Sequence, residues 1–478
     1  MSNFTQALTT LEFNKITEQL AGCAVTEGAS ALALRLTPTD DYERVIKLQS
    51  QTEDAKRLAS MKGAPSFGFI KDVSSALERA EKEAMLSMRE LLDIAGVLRI
   101  ARQLLDYINT DKRFDTVLDE IFDRLEANRP LEEKITRTII AEDMIADEAS
   151  PALSDIRRKK RAVANKIKDT LQHYTSGSHT QYLQENIVTS RNGRYVIPVK
   201  SEHRGEVKGL VHDTSASGAT LFIEPMAVVE ANNELRELES AENHEIERIP
   251  AELSARCAEC AGSISLNYYN ITELAFIFAR AELAFRQNAA RPQITQKQQI
   301  ELYHARHPLL NQKTVVPINI YLGKDFDTLV ITGPNTGGKT VSLKTLGLFA
   351  LMVQSGLQIP ADDTSVMPVF SEILADIGDE QSIEQSLSTF SAHMVNIVKI
   401  LQSATEKSLV LFDELGAGTD PIEGAALAVS VLESVRQRKS LCAATTHYAE
   451  LKEFALTTPA FPTPPANSMW KPSSRPID

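Results

Sequence analysis

Cysteine is scarce in this chain, with four in 478 residues. That is too few for a secreted fold held together by disulfides. Two of them, Cys257 and Cys260, form a C-x-x-C, but it lies in a helical pattern with no second C-x-x-C and no His pair at zinc spacing. The thiols therefore read as core or surface residues, and zinc is not expected. Also missing is any apolar run near the roughly 20 residues that a membrane-spanning helix needs. The start, Met1-Ser-Asn-Phe-Thr-Gln6, has neither the basic nor the apolar stretch of a secretion signal. No membrane partner is expected, and the expected location is the cytoplasm. Nor is there an excess of positive charge: 51 Lys and Arg against 64 Asp and Glu leave a net charge of -13. This excludes a polycation that coats nucleic acid with its whole surface and confines any such contact to a local patch.

What is present is the composition of a globular protein, 43% hydrophobic and 24% charged, in a chain long enough for about three domains. Apolar residues recur at helical spacing from Leu8 to Val25, Tyr42 to Leu58 and Met85 to Ile108. Gly63-Ala-Pro-Ser-Phe-Gly68 reads as a loop and Arg129-Pro130 as a break, after which Leu131 to Ile145 and Ser154 to Tyr174 look helical. From Ile187 to Glu224 the texture turns β-branched and alternating, with turn signals at Asn192-Gly193, Arg204-Gly205 and Ser217-Gly218, which predicts a small sheet. Ala227 to Gln287, interrupted by Pro250, reads as a long helical hairpin or a coiled-coil arm. Beyond Arg291-Pro292, the strand-like runs Leu329 to Thr332, Ser408 to Phe412 and Leu441 to Thr445 alternate with helical patterns. That alternation predicts a parallel sheet with helices on both faces.

The densest positive run is Arg157, Arg158, Lys159, Lys160 and Arg161, followed by Lys166 and Lys168. It is either a solvated helix face or a surface for phosphates, whose binding would be salt-sensitive and independent of base sequence.

The chemistry concentrates at Gly333-Pro334-Asn335-Thr336-Gly337-Gly338-Lys339-Thr340, where an apolar run ends and a helical pattern opens. This fits the phosphate-binding P-loop, G-x-x-x-x-G-K-[ST]. Its glycines let backbone N–H groups approach a polyphosphate, the helix start adds partial positive charge, and the Lys339 ammonium neutralises the outer phosphates. Thr340 would hold magnesium through its hydroxyl. Downstream, the apolar run Ser408 to Phe412 ends in Asp413 and Glu414. In P-loop enzymes the first acid binds magnesium through water and the second polarises the water that attacks the γ-phosphate. Adjacent strand residues point to opposite faces, so convergence of the two acids requires the backbone to turn there. A third strand ends in Thr445-Thr446-His447, from which His447 could reach a γ-phosphate.

These stretches, with Ser388-Thr-Phe-Ser-Ala-His-Met394 and Asp413-Glu-Leu-Gly-Ala-Gly-Thr-Asp-Pro-Ile-Glu-Gly-Ala-Ala-Leu427, resemble the four nucleotide motifs of the MutS ATPases within the ABC superfamily. Leu11-Glu-Phe13 and Val211-His-Asp-Thr-Ser-Ala-Ser-Gly-Ala-Thr-Leu-Phe-Ile-Glu-Pro225 are similar to the bacterial MutS-two branch. The resemblance implies a multidomain fold in which a helical core and lever or clamp arms, with a small β-sheet insertion, precede an α/β P-loop NTPase domain of ABC/MutS type. The implied segments are a helical core over 1–186, a small β-rich core segment over 187–225, a long helical lever or clamp arm over 226–290, the MutS-type ATPase domain over 291–459 and a non-family tail over 460–478.

It further implies ATP with Mg2+ as cofactor and a homodimer that shares two nucleotides. Ser388 would meet the γ-phosphate in trans, Asp420 would lie near the interface, and His307 would sit on the adenine side. The implied substrate is branched DNA, with suppression of recombination, or a stalled collided ribosome and its rRNA, which is split into subunits. A non-hydrolysing nucleotide-binding remnant or structural protein is the alternative.

Two departures from the family qualify these expectations. The mismatch-reading module of repair MutS does not precede the core, and Phe222-Ile-Glu224 stands at a strand end, the wrong place for a mismatch wedge. The family's final ATPase segment and Smr nuclease domain do not follow, so its endonuclease activity is not expected. The tail lacks periodicity, and its reverse translation, shifted by one nucleotide, reads close to the family's continuation. A frameshifted, truncated product is the expectation.

Overall fold

The computed structural model describes residues 4–110, 114–333, 338–378, 386–448 and 451. The chain falls into two compact units, one made of Met1–Lys71, Gln103–Leu125 and Tyr269–Asp478, the other of Asp72–Arg102 and Glu126–Tyr268. This grouping cuts across the consecutive segments expected above, because the first 71 residues share a unit with the chain beyond Tyr269.

The first unit is organised on four parallel strands in the order Thr328–Thr332, Leu441–Thr446, Ser408–Phe412 and Glu372–Asp376. Strands covered on both faces read as unbroken apolar runs, and all five residues of Ser408–Phe412 are buried. Alternate residues leave on opposite sides. Leu329, Leu409, Leu411 and Ala443 join a core with Leu343, Leu346 and Phe349 of the helix Lys339–Gln354, backed by Phe13, Ile16 and Leu20. Val330, Val410, Phe412, Cys442 and Ala444 pack instead on Ile397 and Ile400 of Ser386–Ser403 and on Ala428 and Leu432 of Pro421–Gln437. Each large apolar side chain buried this way contributes roughly 1.5–3 kcal/mol. The unit also holds a second four-stranded sheet, in the order Gln293–Thr295, Val366–Pro368, Ile300–Ala305, Ile318–Leu322.

In the second unit the small sheet is antiparallel, in the order Thr189–Arg191, Arg194–Lys200, Thr220–Pro225, Gly209–Thr214. The turn at Asn192-Gly193 has φ of 49° and 73°, the left-handed pair that a two-residue hairpin favours. The sheet packs on Val163, Ile167 and Leu171 of helix Pro151–Ser176 and on Val228, Ala231 and Leu235 of helix Met226–Glu259.

Two sequence expectations are corrected here. The pattern over Leu131 to Ile145 is helical only through Arg129–Thr138, after which Ile139–Ala141 and Met144–Ile145 pair as an antiparallel ribbon. β-branched Ile139 and Ile140 favour extended backbone, and Glu142-Asp143 supplies the turn. The segment Ala227 to Gln287 is two helices, Met226–Glu259 and Ala261–Arg286, and the helix packed most extensively on Met226–Glu259 is Pro151–Ser176, which precedes the sheet. Among the described residues, no helix is long and apolar enough to cross a membrane.

Candidate functional site

In open α/β sheets, ligands bind outside the carboxyl ends of the strands. At that edge, Thr332 lies in register with Thr446. Gly333 follows with φ 146°, and Gly338, at φ 73°, caps the helix Lys339–Gln354. That left-handed conformation costs a residue with a Cβ, and a Cβ built on Gly338 meets open space. Thr340 lies in the first helical turn and is partly buried. Lys339 is 4% exposed, and its Nζ donates to the carbonyl of Thr446 at 3.4 Å. Pro334, Asn335, Thr336 and Gly337 lie outside the described residues, as does the side chain of Ser388, which stands in the first turn of Ser386–Ser403.

The two adjacent acids stand at the turn that their convergence requires. Glu414 has φ 49°, an unusual conformation for a residue with a side chain, held here by its surroundings. Its N–H donates to Thr445 Oγ1 at 2.8 Å, and the same hydroxyl donates to Asp413 Oδ1 at 2.5 Å. The Asp413 N–H donates to the Asp376 carbonyl at 2.9 Å, and the Leu415 N–H to the Thr445 carbonyl at 3.0 Å. Thr445 thus fixes both acids against the strand that leads to His447. His447 is exposed, with its ring centroid 4.6 Å from that of Tyr448.

Past the acids, Tyr448 Oη donates to the Gly416 carbonyl at 2.9 Å. Gly416 has φ 87°, and a Cβ there would stand 2.5 Å from the Gly424 carbonyl, so this turn closes only on glycine. Asp420 caps the helix Pro421–Gln437, its Oδ1 accepting from the N–H groups of Ile422 at 2.9 Å and Glu423 at 3.4 Å.

A cleft of about 450 Å³ runs from Gly338, Val341 and Ser342 to His307 and Val315. His307 is 7% exposed, and its Nδ1 accepts from the Leu309 N–H at 3.3 Å, which leaves the proton of the neutral ring on Nε2. Burial pushes its pKa down to about 4, so the ring is neutral at pH 7.

Three participants were not singled out from the sequence. Asp376 ends the edge strand and Asp413 directly follows its neighbour, and an apolar run closing on an acid was the available signal. His393 and Asn396 bind the Asp376 carboxylate at 2.9 and 2.7 Å. Nothing local to either residue announces that pairing.

The basic run behaves differently. Arg157 bonds Asp147 at 2.7 Å and Glu242 at 2.8 Å, and Lys160 bonds Glu242 at 2.7 Å. Lys159 and Arg158 pair with Asp155, and Arg161 pairs with Asp147 at 3.2 Å. The Arg157 guanidinium foremost holds Asp147 below its ordinary range. All five cations thus have an acidic neighbour, and Arg157 and Lys160 join two helices.

The family MutS domain V matches residues 329–463, the stretch that holds the parallel sheet. Endonuclease MutS2 of Ruminiclostridium cellulolyticum is 52% identical over 451 residues, 94% of this chain and 57% of that protein. Endonuclease MutS2 of Acetivibrio thermocellus is 51% identical over 457 residues, 95% of this chain and 58% of that protein. That of Alkaliphilus oremlandii is 47% identical over 460 residues, with coverage of 95% and 58%. The chain therefore spans less than three fifths of the length of these curated relatives. The sheet and its strand-end acids define the class, a mixed helix-and-sheet protein carrying a P-loop domain of MutS type. Within that class, the chain belongs to the MutS2 family.

Proposed function

We propose that the chain is an ATP-driven clamp of the MutS type, in which ATP closes a homodimer on a structured nucleic acid and hydrolysis reopens it. The observation that carries this reading is the Thr445 hydroxyl, which ties Asp413 and Glu414 together beside the strand end where the buried Lys339 stands. A buried ammonium whose bond is to a carbonyl is suited to a phosphate anion. Oxygen donors at Thr340 and Asp413 fit magnesium, which when bound would neutralise phosphate charge.

Gly333 to Thr340 cradles the phosphates, and Lys339 draws charge from the leaving and transferred groups. Glu414 polarises the attacking water, and His447 contacts the γ-phosphate. His307 borders the adenine through its Nε2–H. Ser388 completes the neighbouring subunit's site, with Asp420 near the interface. Residues 226–290 form the lever and clamp arm, the β-rich segment over 187–225 belongs to the core with 1–186, and 291–459 is the ATPase. Arg158, Lys159 and Arg161, with side chains 76%, 58% and 68% exposed, are the members of the basic run available to phosphates. The nuclease activity in the relatives' name is not part of this proposal.

The test is phosphate release by the chain and by Glu414→Gln. Turnover in the native chain that falls about 100-fold or more in the variant supports hydrolysis, whereas equal release leaves only a nucleotide-binding protein. Capture with the Glu414→Gln chain in ATP then separates the two substrates, branched DNA or collided ribosomes.

A further inference from the structure

Asp376 ends the edge strand Glu372–Asp376 of the parallel sheet, in register with Phe412. Its main chain and side chain face different tasks. The carbonyl accepts from the Asp413 N–H at 2.9 Å and so braces the turn that carries Asp413 and Glu414. The carboxylate is occupied by one helix, Ser386–Ser403, with His393 Nδ1 donating to Oδ2 at 2.9 Å and Asn396 Nδ2 donating to Oδ1 at 2.7 Å. Asn396 Oδ1 in turn accepts from Gln6 Nε2 at 2.8 Å, which fixes the orientation of its amide. At 6% exposed, this carboxylate is expensive to remove from water. The apolar contacts of Ile397 and Ile400 already hold the helix to the sheet. Two charge-assisted bonds one helical turn apart add directional control of its rotation and axial position. Ser388 precedes His393 by five residues on the same helix, about 7.5 Å at 1.5 Å per residue.

We propose that Asp376 is a positioning residue, a clasp that sets the Ser388 end of this helix against the turn bearing Asp413 and Glu414. A change at that turn when the γ-phosphate leaves is then passed to the helix that meets the second nucleotide. The inference rests on the two-site ATPase reading above.

The test begins with Asp376→Asn, which keeps the shape but removes the negative charge and leaves one acceptor oxygen where the carboxylate offers two. The clasp predicts a kcat lower by about 100-fold with KM for ATP within about threefold. Amide hydrogen exchange in residues 390–403 should quicken and lose its response to ATP. His393→Asn, whose Nδ2 can replace the imidazole Nδ1, should retain most activity, and His393→Leu should not. An unchanged kcat in Asp376→Asn overturns the proposal. So does a parallel loss of ATP affinity, turnover and melting temperature, or a His393→Asn as inactive as His393→Leu. Turnover of the native chain tests the ATPase reading separately. If that turnover is absent, exchange in 390–403 still decides the clasp: quickening in Asp376→Asn upholds it, and unchanged exchange ends it.

Discussion

In the second unit, Glu224 is fully buried and meets Arg194 Nη1 at 2.7 Å, His212 Nε2 at 2.5 Å and Asn232 Nδ2 at 2.7 Å. In the first unit, Lys339 is nearly as buried, yet among the described residues it has no ion pair and donates to a carbonyl. The contrast separates a charge paired within the fold from a charge bonded only to a backbone carbonyl. A buried charge with a complete set of partners is satisfied within the fold. One that meets only a backbone dipole, at the mouth of a glycine loop, gains most when an anion arrives. The same contrast orders the basic run, where Arg157 and Lys160 are used up between helices and Arg158, Lys159 and Arg161 reach solvent.

Substitutions can break this comparison, starting with the largest effect. Lys339→Met should lower ATP affinity by about 100-fold or more, measured by calorimetric titration, because a charge-assisted contact to phosphate is removed. Its thermal stability should stay level or rise, since an uncompensated buried charge is replaced by an apolar chain of similar length. Arg194→Met should do the reverse, leaving Glu224 short of its cation and costing about 3 kcal/mol in urea unfolding of the second unit, with ATP affinity unchanged.

His307 gives a third, pH-dependent effect. Its folded pKa, about 4, lies below the ordinary 6.5, so the unfolded chain takes up a proton first as pH falls. Stability from the neutral ring is present above pH 6.5 and is lost between 6.5 and about 4. This amounts to about 3 kcal/mol, and His307→Phe should remove that part of the acid slope in unfolding titrations. The smallest effect is at the surface. Replacing Arg158, Lys159 and Arg161 by Gln should change stability by less than about 1 kcal/mol. It should also flatten the salt dependence of nucleic-acid binding by up to about one unit of slope per lost contact. An unchanged slope would assign these three to a solvated face.

The sequence was most informative where chemistry is local. Gly333, Lys339 and Thr340, and likewise Asp413 and Glu414, are spaced within single strand-to-helix turns, and the alternating strand runs were enough to place Lys339, Asp413, Glu414 and His447 at one edge of a parallel sheet. What stayed hidden depends on distant residues meeting. Asp376 acquires its role only from His393 and Asn396, and Thr445 becomes a bridge only because its strand lies beside Ser408–Phe412. The helix Met226–Glu259 invited pairing with its successor, since sequence shows periodicity but not partner, and Pro151–Ser176 packs there instead. At Ile139, β-branched residues ended a helix that apolar spacing alone would have continued.

If the edge holding Lys339, Asp413 and Glu414 binds ATP, ATP should bring two chains together. Sedimentation of the Glu414→Gln chain with labelled ATP and magnesium tests it most directly. The expected result is an ATP-dependent dimer carrying one nucleotide per protomer. A chain that stays monomeric and sediments without nucleotide would contradict it.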